Sequence, residues 1–199
     1  MVTFGSFNIV SKLSDGTVAL WSRVLHAVPR SRLMLKAGPL GDPDTADAMR
    51  ARFARHGVPA ERLMLVGRIA DAGGHLGAYG KVDIGLDPFP YNGTTTTAEA
   101  LWMGVPVLTL RGDRFIAHVG ESMLTSAGLE PWIAADADAY VEKAAAFAAD
   151  LSALAALRSN LRRQLVDSPL CDGPRFARNL EAAWRGMWRH WCASRAAAP

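Results

Sequence analysis

Short apolar runs alternate with longer amphipathic segments along most of the chain. The apolar runs predict five strands, over residues 2–7, 32–37, 62–66, 82–86 and 106–110. The amphipathic segments predict helices over residues 14–28, 42–56, 75–79, 95–103, 115–127, 137–149, 151–164 and 174–194. Because strands that alternate with helices form a parallel sheet covered on both faces, we expect an α/β, Rossmann-like fold. We predict a single domain over residues 1–194 and a disordered tail over residues 195–199.

Residues that start and stop helices support several of these boundaries. Ser14 is in place to cap the first helix, and Asp42 followed by Pro43 opens the second. Gly104 and Pro106 end the helix that begins near Thr95. Since open α/β sheets bind ligands at the carboxyl ends of their strands, the loops after the strands are the places to search for a site.

Composition and charge narrow the class of protein. Half of the 199 residues are hydrophobic and the net charge is +3, which suits a globular domain with an anionic small ligand. No dense basic run is interleaved with aromatic residues, so we do not expect nucleic acid as a partner. Cys171 and Cys192 have no CxxC spacing, which favours reduced thiols in a cytoplasmic protein. We see no signal peptide and no segment long enough to span a membrane.

Several common nucleotide and hydrolase motifs do not occur in the sequence. The turn after the first strand reads SFNIVSKLS and contains no GxGxxG, and no GxxxxGK[ST] occurs. HExxH and GxSxG are missing too. Four of the five histidines show no metal-ligand spacing; they are His26, His56, His118 and His190. We therefore expect neither a metal nor a cofactor.

The loop that follows the fourth strand is the strongest local signal for a binding site. Its sequence PYNG is followed by four consecutive threonines, Thr94–Thr97, and threonine is a poor residue for a helix interior. At a helix start, their hydroxyls and the free backbone N–H groups would together form an anion site. Glu99, one turn further in, could accept hydrogen bonds from ribose hydroxyls. The alternative is a simple helix cap with spare threonines, with Glu99 only complementing the helix dipole.

Four segments together resemble the protein O-linked N-acetylglucosamine transferase family in its bacterial, tetratricopeptide-linked form. They are FGSFNIVSKLS, LVGRIADAGGHLGAYGKVDIGLD, LDPFPYNGTTTTAEALWMGVPVLTL and SPLCDGPRFARNLEAAWRGMW, and they run from about residue 4 to residue 188. The resemblance implies the C-terminal, donor-binding lobe of a two-lobed GT-B glycosyltransferase. It also implies inverting transfer of N-acetylglucosamine from UDP-N-acetylglucosamine to Ser/Thr hydroxyls, without a required metal.

The resemblance assigns the phosphate half of a UDP site. Lys12 matches a catalytic lysine at the diphosphate, where it would neutralise charge on the leaving UDP; otherwise it is a surface lysine. Asn8 matches a polar position in the same turn, but Ile9 stands where the family has an amide side chain. Thr94–Thr96 match the helix start at the phosphates. Gly93 would let the backbone approach the ligand closely.

The nucleoside half is assigned in the same way. Ala70 matches a position whose backbone reads the uracil edge. His75 matches a histidine that lies against the uridine, although it could also be a solvent-facing residue at a helix start. Glu99 matches an acid that contacts the ribose, at a position that is often Asp in animal members.

The last helix and the missing lobe leave alternatives open. An apolar stripe at helical spacing indicates either a core-facing helix or one that crosses to a second lobe, with self-association when that lobe is absent; it comprises Phe176, Leu180, Trp184, Met187, Trp188 and Trp191. The resemblance covers only the donor-binding lobe, so we expect the isolated chain to lack an acceptor-binding lobe and to be inactive. The acceptor protein would bind through that lobe or through a helical-repeat region. A stand-alone UDP-binding module and a transferase of another sugar are the competing interpretations.

Overall fold

A computed structural model describes residues 1–196 as one parallel sheet with helices on both faces. The strands are β1 (Val2–Ser6), β2 (Ser31–Lys36), β3 (Leu63–Val66), β4 (Ile84–Leu86), β5 (Val107–Leu110) and β6 (Ile133–Ala134). The α-helices are α1 (Asp15–Ala27), α2 (Pro43–Ala54), α3 (Ala72–Gly77), α4 (Thr95–Trp102), α5 (Val119–Ser126), α6 (Ala137–Ala149), α7 (Leu151–Val166) and α8 (Gly173–Ala196). The predicted Rossmann-like architecture is therefore confirmed.

The strand order places β1 and β4 at the centre of the sheet. The order is β3-β2-β1-β4-β5-β6, and each neighbouring pair is parallel. After β1 the chain builds outward through β2 and β3, then returns to the other side of β1 with β4. The loops that leave the carboxyl ends of β1 and β4 diverge at this reversal, which is where open α/β sheets form a ligand crevice.

The core explains why these segments fold as they do. The strands carry continuous apolar runs because helices cover both faces of the sheet, and Phe4 and Ile84 are fully buried. Trp21 of α1 and Tyr140 of α6 fill the space against one face, with the Tyr140 hydroxyl donating to the Leu108 carbonyl over 3.2 Å. The predicted Ser14 cap is confirmed, because its hydroxyl accepts from the Thr17 amide at 3.1 Å.

The structure changes some predicted boundaries. The two-residue strand β6 was not predicted, because such a short run carries no periodic signal. The helix expected around residues 75–79 begins earlier, at Ala72, since Asp71 caps it by accepting from the Gly74 amide at 2.6 Å. The segment predicted as one helix over residues 115–127 is a 3-10 turn, Phe115–Ala117, followed by α5.

The C-terminal helix α8 does not contribute to the core, so the core-facing interpretation of its apolar stripe is wrong. Every residue from 181 to 190 is exposed, and the Trp188 side chain is 63% accessible. The helix continues through Arg195 to Ala196, past its predicted end at residue 194. The rest of the predicted disordered tail, residues 197–199, lies outside the described residues. Within residues 1–196, no helix combines the length and apolar character needed to cross a membrane.

Candidate functional site

The loop after β1 brings Asn8 and Lys12 to the crevice. Asn8 is buried, and its amide group donates to the Ser6 hydroxyl at 3.3 Å and accepts from the Thr96 hydroxyl at 3.1 Å. The chain then turns through a 3-10 helix, Val10–Lys12, that lifts Lys12 to the rim. Ile9 is 59% exposed, so an apolar side chain stands at the mouth of the crevice.

The start of α4 faces this loop and carries no side-chain cap. Thr94 occupies the N-cap position without a capping hydrogen bond, whereas Ser14, Asp42, Asp71, Asp136 and Asp150 cap their own helices. Thr94 and Thr95 are exposed and Thr96 is half-buried. Because the first N–H groups of a helix have no partner within the helix, this end presents polarised donors to the crevice. It is suited to an anion with several oxygens.

Lys12 lies beside that helix start and completes a cationic groove of about 330 Å³. Its ammonium donates to the Asn92 carbonyl at 2.8 Å and sits 3.9 Å from the centre of the Tyr91 ring. Burial lowers the pKa of Lys12, and the nearby Asp87 carboxylate opposes that shift. The groove is lined by Phe7, Asn8, Ile9, Lys12, Tyr91, Thr94, Thr95 and Thr96.

Gly93 supports the groove from below, and the protein's own side chains require it to be glycine. A Cβ at this position would lie 2.6 Å from the Thr96 hydroxyl and 2.8 Å from the Thr97 hydroxyl. The sequence suggests a glycine that makes room for a ligand. The structure shows that threonine hydroxyls of α4 already occupy that space.

Asp87, a residue that the sequence does not single out, fixes the loop beneath the groove. It follows β4 directly and is only 1% exposed. One carboxylate oxygen accepts from the Gly93 amide and the other from the Thr109 hydroxyl, both at 2.7 Å. Burial raises the pKa of Asp87 to about 7, while these two hydrogen bonds and Lys12 oppose the rise. A strand-end Asp before Pro was the available signal, but that pattern also fits an ordinary turn.

Asn92 holds the same loop from its other side. Its buried side chain donates to the Pro88 carbonyl at 3.0 Å and accepts from the Gly120 amide at 3.2 Å. The groove floor is therefore tied both to β4 and to the start of α5, so its donors are held in place before any ligand arrives.

His75 and Glu99 meet near Phe7, at one end of the crevice. The His75 Nε2 atom is 3.0 Å from a Glu99 carboxylate oxygen, and the Tyr79 hydroxyl donates to that same oxygen at 3.2 Å. Phe7, which lines the groove, also neighbours His75, with the two ring centres 6.1 Å apart. Lys36, another residue that sequence reasoning missed, approaches the His75 Nδ1 atom at 2.6 Å. It was missed because its position in the run SRLMLK predicts only a buried strand.

The residues with this geometry match one family over nearly the whole chain. The model of Glycosyl transferase family 41 matches residues 1–180. This chain belongs to glycosyl transferase family 41. Its six-stranded sheet matches GT-B glycosyltransferase structures, which confirms the expected fold class.

Relatives of this family-41 chain are much longer than it is. It is 44% identical over 195 residues to the probable UDP-N-acetylglucosamine–peptide N-acetylglucosaminyltransferase SPINDLY of Petunia hybrida, covering 96% of this chain and 20% of that protein. It is 32% identical over 192 residues to the corresponding probable enzyme SEC of Arabidopsis thaliana, covering 95% of this chain and 19% of the other. The chain thus spans about a fifth of the length of the curated relatives it matches.

A solved structure supports the same family membership. An O-GlcNAc transferase mutant from Thermobaculum terrenum is 38% identical and superimposes with a TM-score of 0.90, covering 97% of this chain and 37% of that one. The match falls in the C-terminal region of that enzyme. The fold alone recurs in Anabaena Alr3699/HepE, solved with UDP and glucose, at 14% identity and a TM-score of 0.61.

Most of the predicted site residues of this family-41 chain come together in the structure. Asn8, Lys12 and Thr94–Thr96 line the groove, with the buried Gly93 beneath them, and His75 pairs with Glu99 next to it. Ala70 stands apart, exposed in the loop between β3 and α3, with no hydrogen bond to the other candidates within residues 1–196. In the same part of the chain, no group of three or more His, Cys, Asp or Glu side chains is arranged to hold a metal ion.

Proposed function

We propose that this chain is the donor-binding lobe of an inverting protein O-N-acetylglucosaminyltransferase, and that its site holds UDP-N-acetylglucosamine. The observation that supports this most directly is the uncapped start of α4 facing Lys12 at the carboxyl ends of β1 and β4. Helix donors and an ammonium group on opposite sides of one groove suit a diphosphate. The names of the relatives, which refer to UDP-N-acetylglucosamine and peptide, supply the sugar and the acceptor class.

Lys12 would act on the bond that breaks. In the proposed transfer, the bond between the sugar's anomeric carbon and the β-phosphate oxygen opens while the acceptor hydroxyl attacks from the opposite face. The electron pair of that bond goes to the leaving UDP. An ammonium group beside the β-phosphate stabilises this growing charge more in the transition state than in the bound donor, which raises the rate.

The other half of the site would bind the nucleoside. His75 presents an imidazole ring at the edge of the crevice, and Glu99 has a second carboxylate oxygen available for a ribose hydroxyl. We keep Ala70 as the predicted backbone contact to the uracil edge. Its exposed loop lies on the same side of the sheet as His75, five residues before it in the chain.

Transfer would also require groups from outside this lobe. We propose that the acceptor protein and the base that activates its hydroxyl come with a second lobe or a helical-repeat region, so that the isolated chain binds donor without turning it over. Lys12 and the helix start would supply the charge neutralisation at the diphosphate without a metal. Cys171 and Cys192 are both free thiols, in keeping with the cytoplasmic location that we propose.

Calorimetric titration with UDP tests the site. We expect UDP to bind the wild-type chain. We expect its affinity for Lys12→Ala to be lower by about ten-fold or more, because a charge-assisted hydrogen bond contributes roughly 1.5–3 kcal/mol. Thr95→Ala should lose less affinity for UDP, since the backbone N–H donors of the helix start remain. Lys81→Ala, which removes an exposed lysine elsewhere, is the matched control.

Two results would overturn parts of the proposal. If the wild-type chain gives no heat up to millimolar UDP, the nucleotide site is refuted. If the chain alone hydrolyses UDP-N-acetylglucosamine, the expectation that it is inactive without its partner lobe is wrong. GDP, CDP and ADP run beside UDP separate the phosphate groove, which all four share, from recognition of the base.

A further inference from the structure

Lys36 is a buried lysine at the carboxyl end of β2. It is only 7% exposed, although lysine is seldom buried to this extent without a specific partner. The parallel register sets Leu35 opposite Ser6, so Lys36 lies beside Phe7 at the same edge of the sheet. Its ammonium is 5.2 Å from the centre of the Phe7 ring and therefore projects into the nucleoside side of the crevice.

The contact between Lys36 and His75 determines where the imidazole proton lies. An ammonium group has donors only, so the His75 Nδ1 atom, 2.6 Å away, must be the acceptor. A neutral imidazole then carries its hydrogen on Nε2, which is 3.0 Å from the Glu99 carboxylate and donates to it. Hydrogen bonds thus run in one direction from β2 through α3 to α4.

This chain of hydrogen bonds also sets the orientation of the ring. Flipping the imidazole by 180° would point carbon atoms at both Lys36 and Glu99, and both hydrogen bonds would be lost. Tyr79, whose ring is 4.1 Å from that of Phe7, donates to the same Glu99 oxygen and fixes the far end. Burial lowers the pKa of Lys36, and the Glu99 carboxylate opposes that shift.

We propose that Lys36 is a positioning residue for the nucleoside half of the site: it holds His75 in the Nε2–H tautomer and in one ring orientation. The tautomer follows from the contacts together with the positive charge of the Lys36 ammonium group, whereas its consequence for nucleoside binding rests on the proposed function. Lys12 serves the diphosphate and Lys36 serves the nucleoside, so the two lysines should affect different parts of the ligand.

The tautomer is tested by ¹⁵N NMR of the free chain, with the His75 signals assigned by their loss in His75→Gln. We expect an unprotonated Nδ1 and a protonated Nε2 in the wild type. Lys36→Met should shift the His75 Nδ1 signal and mix the tautomers, Lys36→Arg should restore the wild-type pattern, and Lys81→Met should change nothing. A proton on Nδ1 in the wild type, or unchanged His75 signals in Lys36→Met, overturns the proposal.

Titrations with UDP and with inorganic pyrophosphate test the consequence. Lys36→Met should weaken UDP binding about ten-fold and leave the affinity for pyrophosphate unchanged, whereas Lys12→Ala should weaken the binding of both ligands. An equal loss for both ligands in Lys36→Met would mean that Lys36 merely supports the fold, and would refute the positioning role. If the wild type binds pyrophosphate but not UDP, the nucleoside role fails together with the assigned nucleotide, while the ¹⁵N result still decides whether Lys36 holds His75.

Discussion

Replacing Asp87 by asparagine should change how the stability of this domain depends on pH. The folded chain holds this carboxyl fully buried with a pKa of about 7, against an ordinary value of 3.8. Between these two values the folded chain keeps a proton that the unfolded chain has lost. Rising pH therefore removes stability across this interval, by about 1.4 kcal/mol per pH unit, and the loss is complete above about pH 7.

The full interval corresponds to about 4 kcal/mol, a large part of the stability of a typical domain. The side-chain amide in the variant Asp87→Asn cannot ionise, so the variant should lack this dependence. That amide keeps one carbonyl oxygen to accept from the Gly93 amide, and the Thr109 hydroxyl can accept from its NH₂ group instead of donating. The variant should therefore gain on the wild type by roughly 2–3 kcal/mol between about pH 5 and about pH 8.

Urea unfolding followed by far-UV circular dichroism, in steps across that range, measures the difference. Comparing the two chains at each pH cancels the contribution of every group that they share. Asp113→Asn, at a carboxylate that is 92% exposed, should follow the wild type throughout. A constant difference between Asp87→Asn and the wild type would refute the reasoning, because it would mean that Asp87 does not titrate in this interval.

Three further predictions follow from other contacts. Gly93→Ala should cost about 1–3 kcal/mol in chemical denaturation, because its Cβ meets two threonine hydroxyls, while Gly77→Ala, with open space around it, should cost little; equal effects would argue against the crowding. Arg62 donates to the carbonyl groups of Leu25, Val28 and Ser31 at 2.8–2.9 Å and so joins the end of α1 to the start of β2. Arg62→Lys should therefore lower the unfolding free energy by about 1–3 kcal/mol, whereas Arg55→Lys, at an exposed position, should not. If α8 drives self-association, Trp188→Glu should reduce it in sedimentation experiments, whereas a wild-type chain that is monomeric at high concentration would contradict the idea.

The sheet could be predicted from the sequence because its segments obey strong local rules. Each of the five predicted strands is an apolar run next to a helix with a recognisable start or stop, as at Ser14 and Asp42. The two-residue strand β6 has no such signal and forms because β5 offers it a partner. The helix α8 was predicted, but its core-facing alternative was wrong, because periodicity shows that Trp184 and Trp188 share a face and does not show whether anything covers that face.

The site was predictable where its residues lie close together in a loop. Thr94–Thr96 carry a helix-start signal, and the resemblance placed Lys12 and His75 beside them. Lys36 and Asp87 were missed because their roles depend on contacts with other elements of the fold. Lys36 contacts His75 of α3, 39 positions away, and Asp87 contacts Thr109 of β5, 22 positions away. In the sequence, Lys36 is one polar residue in an apolar strand, and only the register that brings it next to Phe7 reveals a partner.

The buried residues Asp87 and Lys36 each hold a different part of the site in place. Asp87 accepts hydrogen bonds from beneath the phosphate groove, so it fixes the backbone of the loop that precedes α4. Lys36 donates from β2 and fixes a side chain of α3 against α4. Because both act on α4 from different strands, the start of that helix is oriented by the sheet rather than by its own cap, which leaves its N–H groups open to a ligand. Threonine can cap a helix, but the backbone of Thr94 is not extended as it is at Ser14, Asp42 and Asp71, and its hydroxyl makes no capping hydrogen bond. We therefore interpret the uncapped start as the feature that makes the crevice a binding site.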